Sequence, residues 1–284
     1  MKSNSALIVG CGDLGNRFGA TLSTMGWTVA ATRRNTDRLP AQFEPYAADY
    51  SEPGSLDFIE ALAPDVVLAT FNPAGRSPQG YRRGFLEATE NLLAGLGRHR
   101  PRAVISVSST RVFAETDGGW VDEASPLSQL DPLAVPMIAA EQALLMADIP
   151  GTVVRFAGIY GAAGGRLLER IRRGELCPAQ PQRFTNRIHR DDCAGFLVHL
   201  AQLAVAGQQL ESVYVGVDDA PAPRAEVEEW LAQQLGIDPA RCTRESDARM
   251  GAGHKRCRNV RLHDSGYRLL YPDYRSGYAA VLEA

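Results

Sequence analysis

Three groups of residues in this chain have types and spacing that could do chemistry. The first is Gly10-Cys11-Gly12-Asp13-Leu14-Gly15, a GxGxxG turn that follows the apolar run Ala6-Leu7-Ile8-Val9. In such a turn Gly10 permits a tight change of direction and Gly12 lets the backbone approach a pyrophosphate. Gly15 lets the next helix lie against the strand, so that the amides at Asp13 and Leu14 and the helix dipole face an anion. A glycine turn between strand and helix can also be purely structural, so the motif takes its meaning from context. Leu14, Phe18, Leu22 and Met25 follow on one helical face, Gly26 stands where a helix would end, and a second strand at 27–32 completes a βαβ unit. The pattern predicts a dinucleotide-binding turn.

The second group is Arg33-Arg34, at the end of that second strand. An acidic residue near this point, roughly twenty residues past the glycines, would accept hydrogen bonds from ribose hydroxyls, whereas arginine suits a 2′-phosphate. No carboxylate competes at this point, so NADP is expected in preference to NAD, the alternative being two solvated arginines at a strand end. Asp49, closing a short third strand at 46–49, either reaches an adenine amino group or caps the next helix. The third group is Ser108-Ser109-Thr110, three hydroxyls after the strand 103–107. They sit where doubly wound sheets place their chemistry, or they cap a helix.

The elements that must position these groups read as an α/β chain. A continuous apolar run at 65–70 suits a parallel strand covered on both faces, and 71–80 is its carboxyl-end loop. Residues 81–96 return to helical spacing, with Tyr81, Phe85, Ala88, Leu92 and Leu96 on one face. A late strand at 213–217 and an amphipathic helix at 224–235, with Val227, Trp230 and Leu231 inward, end the regular part. The 284 residues, 45% of them hydrophobic, suffice for one large α/β domain with a smaller lobe. A net charge of −3 gives no reason to expect nucleic acid or a membrane surface as partner. No apolar run approaches the roughly 20 residues of a membrane span, and residues 1–5 lead into the first strand without an apolar leader, so a cytoplasmic location is expected. Five scattered cysteines suit reduced thiols. Cys242, His254, Cys257 and His263 lack the paired spacing of a zinc set, so no metal is expected.

The glycine motif, Ser108-Ser109-Thr110-Arg111-Val112-Phe113, the turn residues Asp122-Glu123, the stretch 155–161 and Arg187-Ile188-His189-Arg190-Asp191-Asp192 occur in an order that resembles the extended short-chain dehydrogenases/reductases of the NAD-dependent epimerase/dehydratase type. The resemblance implies a Rossmann-type doubly wound parallel sheet with a smaller C-terminal substrate lobe. Residues 1–155, completed by about 186–210, would bind NADP, and 156–185 with 211–284 would form the lobe. It also implies a homodimer through helix 81–96 and the helix after Asp131. Ser109 falls at the family's catalytic serine. Aligning the family's later glutamate with Glu141 puts Leu133 at the catalytic tyrosine and Met137 at the lysine, neither of which can ionise. Pro136 either kinks a helix begun at Asp131 or starts one late. Gly158 replaces a phosphate-binding asparagine, and Thr110-Arg111 replaces the Asp-Glu pair of the dehydratase branch. His189 matches a residue that is more often structural than catalytic in the family.

Between 165 and 190 stand Arg166, Arg170, Arg172, Arg173, Arg183, Arg187 and Arg190 against Glu169 and Glu175. They form a solvated face or an anion-facing wall, with Arg183 and Arg187 best placed to bind substrate. The basic loop 251–256 around Lys255 either closes over a ligand or is merely mobile. Ser109, with Tyr160, Thr110 or bound water as alternative proton donors, would serve an NADP(H)-dependent oxidoreductase or epimerase acting on a small polar, anionic molecule. The alternative is an NADP-binding redox sensor without turnover.

Overall fold

The computed structural model describes residues 3–244 and 253–283. It divides the chain into two compact units, each assembled from separated segments. The first comprises Met1–Val112, Leu127–Arg155 and Ala194–Tyr214; the second comprises Phe113–Pro126, Phe156–Cys193 and Val215–Ala284. The segment 113–126, expected with the cofactor domain, therefore packs within the second unit, and the first unit takes residues 194–214 rather than 186–210.

The first unit is built on a seven-stranded parallel sheet of the Rossmann type. β1 (Ser5–Val9), β2 (Thr28–Arg33), β3 (Glu44–Ala47), β4 (Val66–Ala69) and β5 (Ala103–Ser109) run in the order β3-β2-β1-β4-β5, and the strands Gly151–Phe156 and Val213–Gly216 extend the sheet beyond β5. Leu7 pairs with Ala30 on one side and Val67 on the other. β4 is buried along its whole length, which accounts for its unbroken apolar run. The strand order reverses at β1, so the loops after β1 and β4 diverge and leave a crevice at their carboxyl ends.

The helix α1 (Asp13–Thr24) buries Gly15, Phe18, Gly19 and Leu22, while Met25 is 48% exposed, so the buried face differs from the one the large side chains outline. The reason is close approach. A Cβ on Gly15 would stand 2.8 Å from Ile8 Cγ2, and one on Gly19 would stand 2.5 Å from Phe43 Cζ. The helix expected at 81–96 comprises a turn at Pro78–Tyr81, a π-helical segment at Arg82–Glu87 and an α-helix at Ala88–Leu96. Pro136 lies in the first turn of the helix Ala134–Met146, where a missing N–H leaves no intrahelical bond unmade.

In the second unit the strands Gly158–Tyr160 and Arg187–His189 pair in parallel, and Trp120–Val121 pairs with Arg256–Cys257. The helices Arg166–Arg172, Arg224–Gln234 and Tyr274–Glu283 enclose a small core of Leu168, Ile171, Val227, Leu231, Tyr274 and Tyr278. Among the described residues no helix is long and apolar enough to cross a membrane.

Candidate functional site

The crevice in the first unit opens into a cavity of about 260 Å³. Gly10, Cys11 and Gly12 line it from the turn after β1; Thr32, Arg33 and Arg34 from β2 and its end; Ala48 to Ser51 after β3; and Asn72, Pro73, Ala74 and Gly84 from beyond β4. The glycine turn is braced from both neighbouring strands. Gly10 has φ +83°, its N–H donates to Thr32 Oγ1 at 3.0 Å, and its carbonyl accepts from Thr70 Oγ1 at 2.7 Å. The Cys11 N–H donates to the Thr32 carbonyl at 3.0 Å. Gly12 is the residue before α1. A Cβ there would meet nothing within 4 Å, and no side chain caps the helix. The first amides of α1 are thus the donors that a helix N-terminus offers to an anion.

Of the cofactor-binding residues expected from the sequence, Gly10, Gly12, Arg33, Arg34 and Asp49 line this one cavity, whereas Asp13, Leu14 and Gly15 do not. Asp13 turns outward to Arg17 at 3.2 Å, and Gly15 is buried behind the turn. Arg33 is half-buried; Arg34 is exposed and lies 3.8 Å from Asp49. Asp49 also accepts the Ser51 N–H at 3.1 Å and its hydroxyl at 2.7 Å. Burial raises the Asp49 carboxyl, but the Ser51 bonds and the charges of Arg34 and Arg83 outweigh it and hold the group below its ordinary value. Burial pushes the Cys11 thiol up to about 12, against the charge of Arg33, so it stands neutral in the turn. Thr32, Tyr50, Ser51, Asn72 and Gly84 escaped the sequence reading. A threonine closing a strand and an Asn-Pro after an apolar run were the only local signals.

The three hydroxyls after β5 part company. Ser108 is buried and donates to Glu141 Oε1. Arg155 binds the same carboxylate through Nε (3.2 and 3.1 Å) and Nη2 (2.7 Å). Ser109 ends β5, half-buried, and its oxygen accepts the Arg111 N–H at 3.2 Å. Its own proton has no acceptor among the described residues, so the hydroxyl can donate to a ligand oxygen. Thr110 begins the short 3₁₀ turn Thr110–Val112. Arg111 then grips Asp131 at 2.7 and 3.1 Å, and Asp131 accepts the Leu133 N–H at 2.9 Å. The helix Ala134–Met146 contains neither tyrosine nor lysine; Leu133 precedes it, and Met137 is buried at 4% exposure.

In the second unit Tyr160 stacks on Tyr278 (centroids 4.3 Å apart) and meets the edge of His189 at 5.2 Å. Burial and the neighbouring Asp218 charge raise its phenol well above the ordinary value, which keeps it protonated and makes it a weak acid. His189 Nδ1 accepts the Asp191 N–H at 3.2 Å. Arg183 is half-buried and lines a separate cavity of about 470 Å³ with Pro178, Gln182, Trp230 and Arg275 among others. Arg187 is not part of that lining. It is buried, with Nη2 against Thr185 Oγ1. Lys255 corrects the picture of a basic loop closing over a ligand, since it is 3% exposed and donates from Nζ to the Phe113 carbonyl at 3.3 Å. Burying an ammonium requires such acceptors. Gly251 and Ala252 of that loop lie outside the described residues. His254 accepts the Phe184 N–H, and His263 pairs with Asp219. Asp218, unforeseen in the sequence, is 1% exposed and is raised to about 7 by burial, with Arg187 opposing.

No family model matches the sequence. A solved protein from Methylobacillus flagellatus, provisionally named an NAD-dependent epimerase/dehydratase, is 34% identical, with a TM-score of 0.80 over 99% of this chain and 98% of its own. The chain belongs to the NAD-dependent epimerase/dehydratase-like family. The Escherichia coli K12 protein YeeZ is 27% identical over 278 residues, 94% of this chain and 96% of the relative. MoeE5, solved with UDP-glucose and NAD, is 22% identical with a TM-score of 0.80 over 99% of this chain and 98% of its own; that likeness speaks for the fold.

Proposed function

We propose that this epimerase/dehydratase-like chain binds a nicotinamide dinucleotide in the 260 Å³ cavity, NADP(H) in preference to NAD(H), and uses it as an oxidoreductase or epimerase on a small polar, anionic substrate. The observation that carries the reading is the composition of the cavity wall. An uncapped helix start and an open Gly12 Cβ position fit a pyrophosphate, while Arg33 and Arg34 offer guanidinium groups suited to a 2′-phosphate. The NAD held by MoeE5 supports a nicotinamide cofactor in general; the arginines supply the preference.

When bound, the nicotinamide supplies hydride transfer. The chain's part is to hold the diphosphate on the α1 amides, the extra phosphate on Arg33 and Arg34, and the reacting oxygen on the Ser109 hydroxyl. No tyrosine follows on the helix Ala134–Met146, so the proton passes through Thr110 or water; Tyr160, whose hydroxyl faces the Asp273 carbonyl within the second unit, is raised too far to serve as an acid. Gly158 leaves no side chain for a substrate diphosphate, which favours a carboxylate or monophosphate over a nucleotide sugar. The protein acts in the cytoplasm as a homodimer, without nucleic acid or membrane as partner.

Calorimetric titration with NADP⁺, NADPH, NAD⁺ and NADH tests the reading, and equal affinities for the phosphorylated and unphosphorylated pairs would sink the preference. A second reading, an NADP-binding sensor without turnover, draws on that same helix having no ionisable pair. A thermal-shift screen with NADP⁺ present separates the two. Selective stabilisation by small organic acids or sugar phosphates supports the enzyme, selective stabilisation by UDP-glucose overturns the substrate class, and no shift favours the sensor.

A further inference from the structure

One wall of the cofactor cavity is announced by no motif: the backbone of 72–74, beyond β4. Asn72 is followed by Pro73, which has no N–H to anchor the segment, so the Asn72 amide is the donor available where the wall begins. That amide donates to the hydroxyl of Tyr50 at 3.2 Å, and the same hydroxyl reaches back to the Asn72 carbonyl oxygen at 3.4 Å. Tyr50 is itself held. Its ring packs on Phe71 with centroids 4.8 Å apart, its carbonyl accepts Asn91 Nδ2 at 3.0 Å, and its Cε1 lies 3.0 Å from where a Cβ on Gly10 would stand. Gly84, inside the π-helical segment Arg82–Glu87, presses against the same backbone: a Cβ there would stand 2.3 Å from the Asn72 carbonyl oxygen and 2.6 Å from Pro73 Cα.

We propose that Tyr50 is a positioning residue for the cofactor, its hydroxyl clamping the Asn72 backbone so that the wall at 72–74 stands at a fixed separation from the glycine turn. The inference rests on the dinucleotide reading of the cavity. Phenylalanine would keep the contacts with Phe71 and Gly10 but leave the Asn72 amide without its acceptor, so the specific need is for a phenol. The neutral form is the one required, since it accepts and donates at once, and burial raises the Tyr50 hydroxyl above its ordinary value. Gly84 supports the clamp by its lack of a side chain, because any side chain there displaces the segment that Tyr50 holds.

The test compares wild type, Tyr50→Phe and Gly84→Ala for NADPH affinity by fluorescence titration, with melting temperature and hydrogen exchange at the Asn72 amide measured on the same samples. Tyr46→Phe is the control, since it removes a hydroxyl bonded to Glu44 outside the cavity. Tyr50→Phe is expected to weaken NADPH binding roughly three- to tenfold, the scale of one lost hydrogen bond. Its Asn72 amide should exchange faster, with the melting temperature close to wild type, and Gly84→Ala should weaken binding in the same direction. Wild-type affinity in Tyr50→Phe, or loss of affinity only in proportion to loss of stability, overturns the clamp and leaves the dinucleotide reading standing. Failure of wild type to bind any nicotinamide dinucleotide overturns both.

Discussion

The Arg155 guanidinium grips both carboxylate oxygens of Glu141, and neither side chain is more than 5% exposed. Ser108 donates to the same carboxylate, so the pair ties the strand Gly151–Phe156 to the helix Ala134–Met146 and to the end of β5. Removing one charge leaves the other buried without compensation. Glu141→Ala should lower unfolding stability by about 3–5 kcal/mol in urea titration. Glu141→Leu with Arg155→Met should lose much less, because a well-packed apolar pair escapes the desolvation cost.

Stability should depend on pH through Asp218. The folded state holds a proton on this carboxyl up to about pH 7, whereas an ordinary aspartic acid loses it near 3.8. Burial causes the shift, Arg187 opposes it, and Asp219 and Asp273 add to it; Tyr160 and Tyr278 also feel its charge. A raised carboxyl contributes stability that is complete below the unfolded value and is lost as pH rises to about 7. Asp218→Asn should therefore gain on wild type across that window, by up to about 4 kcal/mol at pH 8. Parallel urea curves of the two proteins at pH 5 and pH 8 would reveal it; an equal gap at both values counts against the assignment.

Two glycines three residues apart, Gly12 and Gly15, should behave oppositely. A Cβ on Gly12 meets nothing in the protein, while one on Gly15 runs into Ile8. Gly12→Ala is expected to melt like wild type yet lose dinucleotide binding. Gly15→Ala should cost about 1–3 kcal/mol through overpacking. Thermal melts with and without NADPH distinguish the cases.

Replacing Arg33 and Arg34 together by serine should reduce NADPH affinity roughly tenfold or more, while NADH affinity stays within about twofold. Calorimetry on the double variant decides this. A parallel fall for both cofactors would assign the arginines to general attraction and not to a 2′-phosphate.

If the protein turns over a substrate, Ser109→Ala should slow it on the order of 100-fold, as loss of a hydrogen bond to a developing oxyanion does. Restoring the family pair with Leu133→Tyr and Met137→Lys meets an obstacle that only the structure reveals. Met137 is buried in its helix, so lysine there should destabilise the fold, and a thermal melt of the double variant should show the loss before any gain in rate.

The parts of the fold legible in the sequence were those with a regular period. β4 announced itself by an unbroken apolar run, and the glycine turn by spacing. The buried face of α1 is hidden in the sequence because Gly15 and Gly19 contribute closeness and no hydrophobicity, so Met25 outlines a face it does not join. The π-helical segment at Arg82–Glu87 hid behind Tyr81, Phe85 and Ala88, whose spacing is that of an ordinary helix. The burial of Lys255 has no local signal because its acceptor, the Phe113 carbonyl, lies 142 residues away, and Asp218 gives none because nothing in two adjacent aspartates tells which one is buried. Partners so remote leave no local trace.

Every residue lining the 260 Å³ cavity falls between Gly10 and Gly84, whereas Ser109, the helix Ala134–Met146 and the whole second unit come later in the chain. During synthesis the pocket is thus fully translated before Ser109 has been made. Along the gene, the cavity's residues and those that follow from Ser109 onward occupy successive stretches, so mutation can alter the later stretch while leaving the earlier one whole.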